Sequence, residues 1–308
     1  MGAILEALLN PILPIFAVAA VGFAFGRMGL FQREMAGVLN SFVLLVALPA
    51  LLFAFLVEAP FEQFEWPLVI GYFAASLAVY AIVFALMRLI FCLPVREALL
   101  LGMVACFTNH VFFVLHIAEI LYGETARLAV LAIITFDAFV IFGGTFVVLD
   151  FMKGPKVSPM GAVLVLAKNP MLIALALGLA VGWGDFPIHP GFITYAEFTG
   201  GAAAPASMFA LGLILSGVTL ARFDWPALSA TAAKLLLHPT LVVGLFMIFQ
   251  TATLPTDIWY KALVFTAAGP AGAMPFALAL QFGVDTSRIV RAIIYSTVIS
   301  LITLAVLA

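Results

Sequence analysis

Charge is what this 308-residue chain has least of: 13 Lys and Arg and 15 Asp and Glu make up 9% of its residues, against about a quarter in an ordinary globular protein. That deficit excludes a soluble domain. With 66% of the residues apolar and a mean hydropathy of +1.26, most of the chain has no suitable environment but lipid. A net charge of −2 without any Lys/Arg cluster excludes the basic footprint of a nucleic-acid binder. The two cysteines, Cys92 and Cys106, lie in apolar runs with no CxxC or Cys/His spacing, so neither a disulfide framework nor a zinc site is expected. HExxH, GxSxG and paired aspartates of the GxGD kind are missing as well, which leaves an intramembrane protease or lipid hydrolase without its motif. A passive channel would want a ring-forming repeat, and none is visible. No metal or cofactor is expected.

What the chain does have is long apolar runs. At about 20 residues per span, ten candidates stand near 9–27, 36–56, 67–90, 97–121, 128–149, 161–183, 198–220, 226–249, 260–282 and 287–307, joined by short loops. The fold class is therefore an all-α polytopic membrane protein with ten transmembrane helices. The first segment opens with Glu6, carries Pro11 and Pro14 and lacks a small-residue cleavage site, so it reads as a retained helix and not a signal peptide. Connections after odd-numbered segments hold Arg27, Arg33, Arg88, Arg96, Lys153, Lys156, Lys168, Arg222, Arg288 and Arg291, whereas those after even-numbered segments hold Arg127 and Lys261 beside Glu58, Glu62 and Glu65. The positive-inside rule then makes the odd-numbered connections cytoplasmic and puts both termini outside the cytoplasmic (inner) membrane.

The two halves resemble each other. ETARLAVLAII (124–134) aligns with DTSRIVRAII (285–294), each after a glycine, Gly123 or Gly283. Trp66-Pro67 and Trp225-Pro226 open the third and eighth segments, and VALPALLF (46–53) parallels AAAPASMF (202–209), all at an offset of about 160. A five-helix repeat crosses the membrane an odd number of times, so its second copy must be inverted. The expected organisation is a first repeat over 1–151, a cytoplasmic linker over 152–160 and a second repeat over 161–308. Secondary transporters are built this way, with substrate held near mid-membrane where broken helices of the two repeats meet. The ninth segment carries Gly269, Pro270, Gly272 and Pro275, which remove donors and loosen the helix at mid-span. The fourth carries Thr108, Asn109, His110, His116 and Glu119 in an apolar stretch and is expected to break by polarity, without a proline.

NPILPIFAVAAVGFAFGRMGLF, LNSFVLLVALPALLF, AAAPASMFALGL and PAGAMPF, in that order along nearly the whole chain, resemble the auxin efflux carrier family, the plant carriers and their bacterial relatives that move malonate, malate and other organic acids. The resemblance implies segments 1, 2, 6 and 7 as a scaffold, through which any homodimer would form. Segments 3–5 and 8–10 would be a transport unit, with segments 4 and 9 crossing as an X at the substrate site. One departure is local: after Asn109 the family usually has a glycine and then a proline seven residues on, where this chain has Val114 and His116.

Asp137 stands in the middle of the fifth segment, where an ionised carboxylate costs a few kcal/mol unless water, a cation or a donor faces it. It reads as a proton-carrying or substrate-sensing group, and otherwise as an interhelical hydrogen-bonding acid. Asn109 and His116, seven apart, share a face with Phe112 and Glu119 if the helix is continuous. Asn109 can hold a carboxylate, and His116 can titrate in a proton cycle or simply bond a neighbouring helix. Thr108, Pro270, Gly272 and Met274 complete the substrate candidates at the crossing, with the amides around Gly272 as donors. Pro49 and Pro205 match across the repeat, with Phe53 and Phe209 four residues on, and read as kinks that curve their helices around a cavity, which makes Pro49, Phe53, Ser207 and Met208 candidate cavity contacts. In the eighth segment Lys234 is expected to snorkel towards the cytoplasmic face, a role in substrate binding being its other reading, and His238, before Pro239, to mark a kink. The expected activity is alternating-access transport of small organic anions, mono- or dicarboxylates, driven by protons or the membrane potential. Sodium coupling of the bile-acid symporter type is the alternative.

Overall fold

The computed structural model describes residues 17–32, 34–153, 167–184, 186–217, 223–248 and 257–307. Glu6, Pro11, Pro14, Arg33, Lys156, Arg222 and most of the expected linker lie outside the described residues. Among those described, all regular structure is helical: α1 (Ala17–Arg27), α2 (Met35–Val57), α3 (Trp66–Leu89), α4 (Val95–Cys106), α5 (His110–Tyr122), α6 (Glu124–Phe151), α7 (Pro170–Gly184), α8 (Pro190–Leu215), α9 (Trp225–Ile248), α10 (Ile258–Ala268), α11 (Met274–Gln281) and α12 (Ser287–Leu307). Six of these, α2, α3, α6, α8, α9 and α12, are long and apolar enough to cross a membrane, and α1, α5, α7 and α10 are shorter apolar helices. The protein is a multi-pass membrane protein.

Proline shapes several helices in the same way. Its ring clashes with the carbonyl four residues earlier and it has no N–H to donate. The helix accordingly widens into a π turn at Val43–Ala47 ahead of Pro49 and at Ala233–Leu237 ahead of Pro239, and loosens at Gly201-Ala202 ahead of Pro205. α6 widens at Asp137–Phe142 with no proline behind it.

The chain divides into two compact units, Met1–Phe64 with Val163–Thr219, and Glu65–Ala162 with Leu220–Ala308. The first holds α1, α2, α7 and α8, and small residues bring their backbones close. A Cβ on Gly212 would sit 2.0 Å from the Ala19 carbonyl oxygen of α1, and one on Gly182 would sit 2.3 Å from that of Leu56 in α2. Gly178 and Gly182 have the small-xxx-small spacing that lets membrane helices touch. The second unit holds α3–α6 and α9–α12. At its centre is α6, 72% of whose most apolar 18 residues are buried, against 39–47% for the other long helices. Ion pairs brace one end of it: Arg288 Nη1 lies 2.7 Å from Glu97 Oε1 and Arg291 Nη1 lies 2.8 Å from Asp224 Oδ2, which ties α12 to the starts of α4 and α9. Arg127 pairs with Glu124 at 2.8 Å and with Glu119 at 3.5 Å.

Candidate functional site in the second unit

α10 ends at Ala268 because Gly269-Pro270 follows: proline cannot continue the hydrogen-bond ladder, and Gly269 turns extended at φ −65°, ψ 163°. The chain then runs as an open strand to Ala273, where α11 begins with Pro275 in its first turn, a position that needs no donor. α4 has no such breaker, yet it also stops, at Cys106, and α5 starts at His110. Its partner explains the break. The Asn109 N–H donates to Pro270 O at 2.8 Å and the Gly272 N–H donates to Phe107 O at 2.9 Å, forming an antiparallel bridge between Thr108 and Ala271. A three-residue gap (107–109) and a five-residue gap (269–273) thus satisfy each other's backbone, which lipid would not. Thr108 Oγ1 also donates to Thr266 O (3.1 Å) and the Ala271 N–H donates to Ser296 Oγ (3.0 Å). The approach is tight enough to require glycine: a Cβ on Gly272 would meet Thr108 O and Phe107 Cδ1 at 2.9 Å, and one on Gly269 would meet Val114 Cγ2 at 2.6 Å.

This geometry corrects two expectations. The Gly272 and Ala271 amides and the Thr108 hydroxyl are committed to the crossing, so these two of the amides around Gly272 are not free donors for a ligand. Asn109 and His116 do not share a face in the expected way. Asn109 is the residue before the helix, and the π turn His110–Val114 follows it, so seven residues no longer equal two α turns. What Asn109 does offer is a partly exposed carboxamide that bonds to none of the described residues, at the N-terminal end of α5. Phe112 and His116 are half-buried on α5, and His116 Nδ1 has no partner among the described residues. Met274 opens α11, also half-buried. The first-turn N–H groups of α5 and α11 have no acceptor within their helices and carry the positive ends of the helix dipoles.

Asp137 is 1% exposed and starts the π turn of α6. Its Oδ2 lies 3.1 Å from Nε2 of His110, which is itself 4% exposed. Neither atom is aligned as in a hydrogen bond, so the contact is an electrostatic approach. The residue beside Asp137 is therefore His110, from the turn after Asn109, and not His116. No one-dimensional signal links the two.

Lys234 does not snorkel. It is 0% exposed, with Nζ 2.5 Å from Ala267 O and 3.3 Å from His238 Nδ1. The π turn before Pro239 widens α9 where Lys234 sits. His238, also 0% exposed, is more than a kink marker: its Nε2 lies 2.9 Å from Ser76 Oγ on α3, and the Tyr72 ring meets it edge-on at 5.2 Å between centroids. A signal for such pairings was present in the sequence offset. Ser76 and His238 are 162 residues apart and Thr108 and Thr266 are 158 apart, both close to the repeat spacing.

The remaining candidates lie in the first unit. Pro49 is buried in α2 just after its π turn, Phe53 is half-buried one turn on, and Ser207 (7%) and Met208 (5%) are buried in α8.

The profile of the membrane transport protein family matches residues 7–156 and again 147–308. A candidate malonate transporter of Rhizobium meliloti (strain 1021) is 26% identical over 297 residues, 95% of this chain and 92% of that protein. Two matches that together span the chain from residue 7 to residue 308 show that it belongs to the membrane transport protein family, to which its resemblance to the auxin efflux carriers had pointed.

Proposed function

We propose that the chain is a secondary carrier of small organic anions, C3 dicarboxylates such as malonate foremost, and that the anion is held at the crossing of α4/α5 with α10/α11. One observation carries this reading: the unpaired carboxamide of Asn109 sits at a helix N-terminus that is made and held by the second interrupted helix. An amide donor and two positive helix ends favour a carboxylate. The name of the Rhizobium relative supplies the substrate class.

In this reading the ten apolar segments are two inverted five-helix repeats. Gly123 and Gly283, equivalent in the repeat, both take positive φ, 81° and 64°, and cross-repeat bonds near an offset of 160 are what helices close to a pseudo-two-fold axis would make. The unit with α1, α2, α7 and α8 serves as scaffold and homodimer surface. The other is the transport unit, whose displacement gives alternating access in the inner membrane, with both termini outward. Asp137, with His110 beside it, couples transport to protons.

A thermal-shift panel on the detergent-purified protein tests the reading, since a ligand that binds the folded state raises Tm by an amount set by its concentration over Kd. C3 and C4 dicarboxylates, aromatic monocarboxylates, amino acids, sulfonates and organic cations are compared with and without sodium. Stabilisation by dicarboxylates is expected. Stabilisation by cations or zwitterions alone would reject the anion site and make Asp137 a substrate ligand.

A further inference from the structure

Among the described residues Lys234 is the only Lys or Arg that is buried, and a charge in the interior of a membrane helix must be compensated. Its surroundings are unusually negative for a place in lipid. Ala267 is the penultimate residue of α10, so its carbonyl has no helical donor and belongs to the negative end of that helix. Of the neighbouring carbonyls, Thr266 O is already filled by Thr108 Oγ1 and by the Gly269 N–H, and Ala267 O is filled by the Lys234 ammonium. The carboxyl group whose field reaches Lys234 is Asp137 of α6, and Cys106, also near it, is the last residue of α4 and so stands at that helix's negative end.

The His238 contacts define the charge. Ser76 Oγ donates to Tyr72 O at 3.0 Å, which leaves it to accept from His238 Nε2–H at 2.9 Å. Nδ1 of the same ring then carries a lone pair and accepts from Lys234 Nζ at 3.3 Å. That tautomer, assigned from the network, gives both ring nitrogens of a neutral imidazole a partner and the ammonium two acceptors, His238 Nδ1 and Ala267 O. Tyr72 on α3 and His110 on α5 complete the titratable groups around the pair.

In transporters with broken helices, unwound carbonyls and half-helix C-terminal ends are where a coupling cation is coordinated. Here a side-chain ammonium already bonds such a carbonyl. We infer that Lys234 is a covalently tethered cation standing in the place of a free coupling ion, so that anion transport by this chain requires no sodium or other monovalent metal. The inference rests on the anion-carrier reading, deepens it, and rejects its sodium-coupled alternative.

The test uses full-length protein in proteoliposomes with radiolabelled malonate as probe. Uptake by the wild type is expected to agree within two-fold in sodium, potassium and choline media. Lys234→Met should lose at least ten-fold in uptake while its Tm stays within a few degrees of wild type. Lys234→Ala, which leaves a hole the size of the amine stem, should regain uptake when methylammonium or sodium is added. Wild-type uptake that rises five-fold or more with sodium overturns the inference, and so does a Lys234→Met protein that transports at the wild-type rate. Should neither variant fold, the wild-type cation series decides alone. If the wild type carries no malonate in any medium, the carrier reading has failed separately. Thermal shift with sodium and potassium on that same protein then judges Lys234: sodium-specific stabilisation refutes the tethered cation, and equal Tm values support it.

Discussion

In the proposed mechanism Asn109 and Asp137 divide two tasks of a carrier, holding the substrate and coupling it to a gradient. The Asn109 carboxamide bonds to nothing in the described protein, so its loss costs the fold little. Asn109→Ala should leave Tm unchanged and weaken dicarboxylate binding by about 1–3 kcal/mol, the cost of a lost polar partner in a desolvated site, which is roughly a 5- to 150-fold rise in Kd. Isothermal titration with malonate reads this directly, and an unaltered Kd removes Asn109 from the site. Asp137 is 1% exposed and faces His110 at 3.1 Å. Asp137→Asn keeps its shape and removes its ionisation, so binding should persist while accumulation driven by a pH gradient disappears. Accumulation at the wild-type rate would assign coupling to another group. Asp137 was legible as a lone acid in the middle of a long apolar run. His110 and Lys234 were not legible in their roles, because what a buried side chain faces depends on a neighbouring helix and on a π turn that displaces it from α-helical phase.

At the level of elements, the crossing is held by backbone, so its weak points are glycines. Gly272→Ala would place a Cβ 2.9 Å from Thr108 O, a backbone atom that cannot step aside. Overpacking of that kind costs about 1–3 kcal/mol, and a lower Tm with reduced malonate uptake is the expected result. Gly144→Ala in α6 is the control, because nothing lies within 4 Å of its added Cβ and helix propensity favours alanine there by up to about 1 kcal/mol. Equal Tm values for the two variants would mean that the crossing is looser than its geometry. Several elements could be read from pattern alone. α3 was expected at 67–90 and spans Trp66–Leu89, and α12 was expected at 287–307 and spans Ser287–Leu307, because apolar length and a Trp-Pro or Asp-Thr-Ser start bound them sharply. α8 was expected from 198 but begins at Pro190, where His189 Nδ1 accepts from the Gly191 N–H at 3.1 Å. Tyr195, Glu197 and Thr199 make its first turns more polar than the apolar run that follows.

For the whole molecule, the charge pattern and the inverted repeat imply an orientation that Cys92 can report. It is exposed, in the turn after α3, whereas Cys106 is buried. A membrane-impermeant maleimide should label the wild type in inside-out vesicles and leave it unlabelled in right-side-out ones. A Glu124→Cys variant of a Cys92→Ser protein should show the opposite preference, since Glu124 begins the helix that carries Arg127, on the side opposite Arg88. The reverse pattern would invert the topology, and labelling of both sites from one side would contradict the inverted repeat.

Composition and periodicity alone determined that this chain lives in a membrane, where most of its helices run, and that the ninth segment breaks. Those features are local: apolar length, net charge between spans, and prolines and glycines that deny a helix its donors wherever they fall. Tertiary structure alone decided where the fourth segment breaks, between Cys106 and His110, that Asp137 meets His110, and that Lys234 turns inward to Ala267. Phe107, Thr108 and Asn109 could each have continued a helix. They are extended because Pro270 O and Gly272 N–H, left unpaired by a proline-broken helix about 160 residues later, offer their backbone partners that lipid cannot.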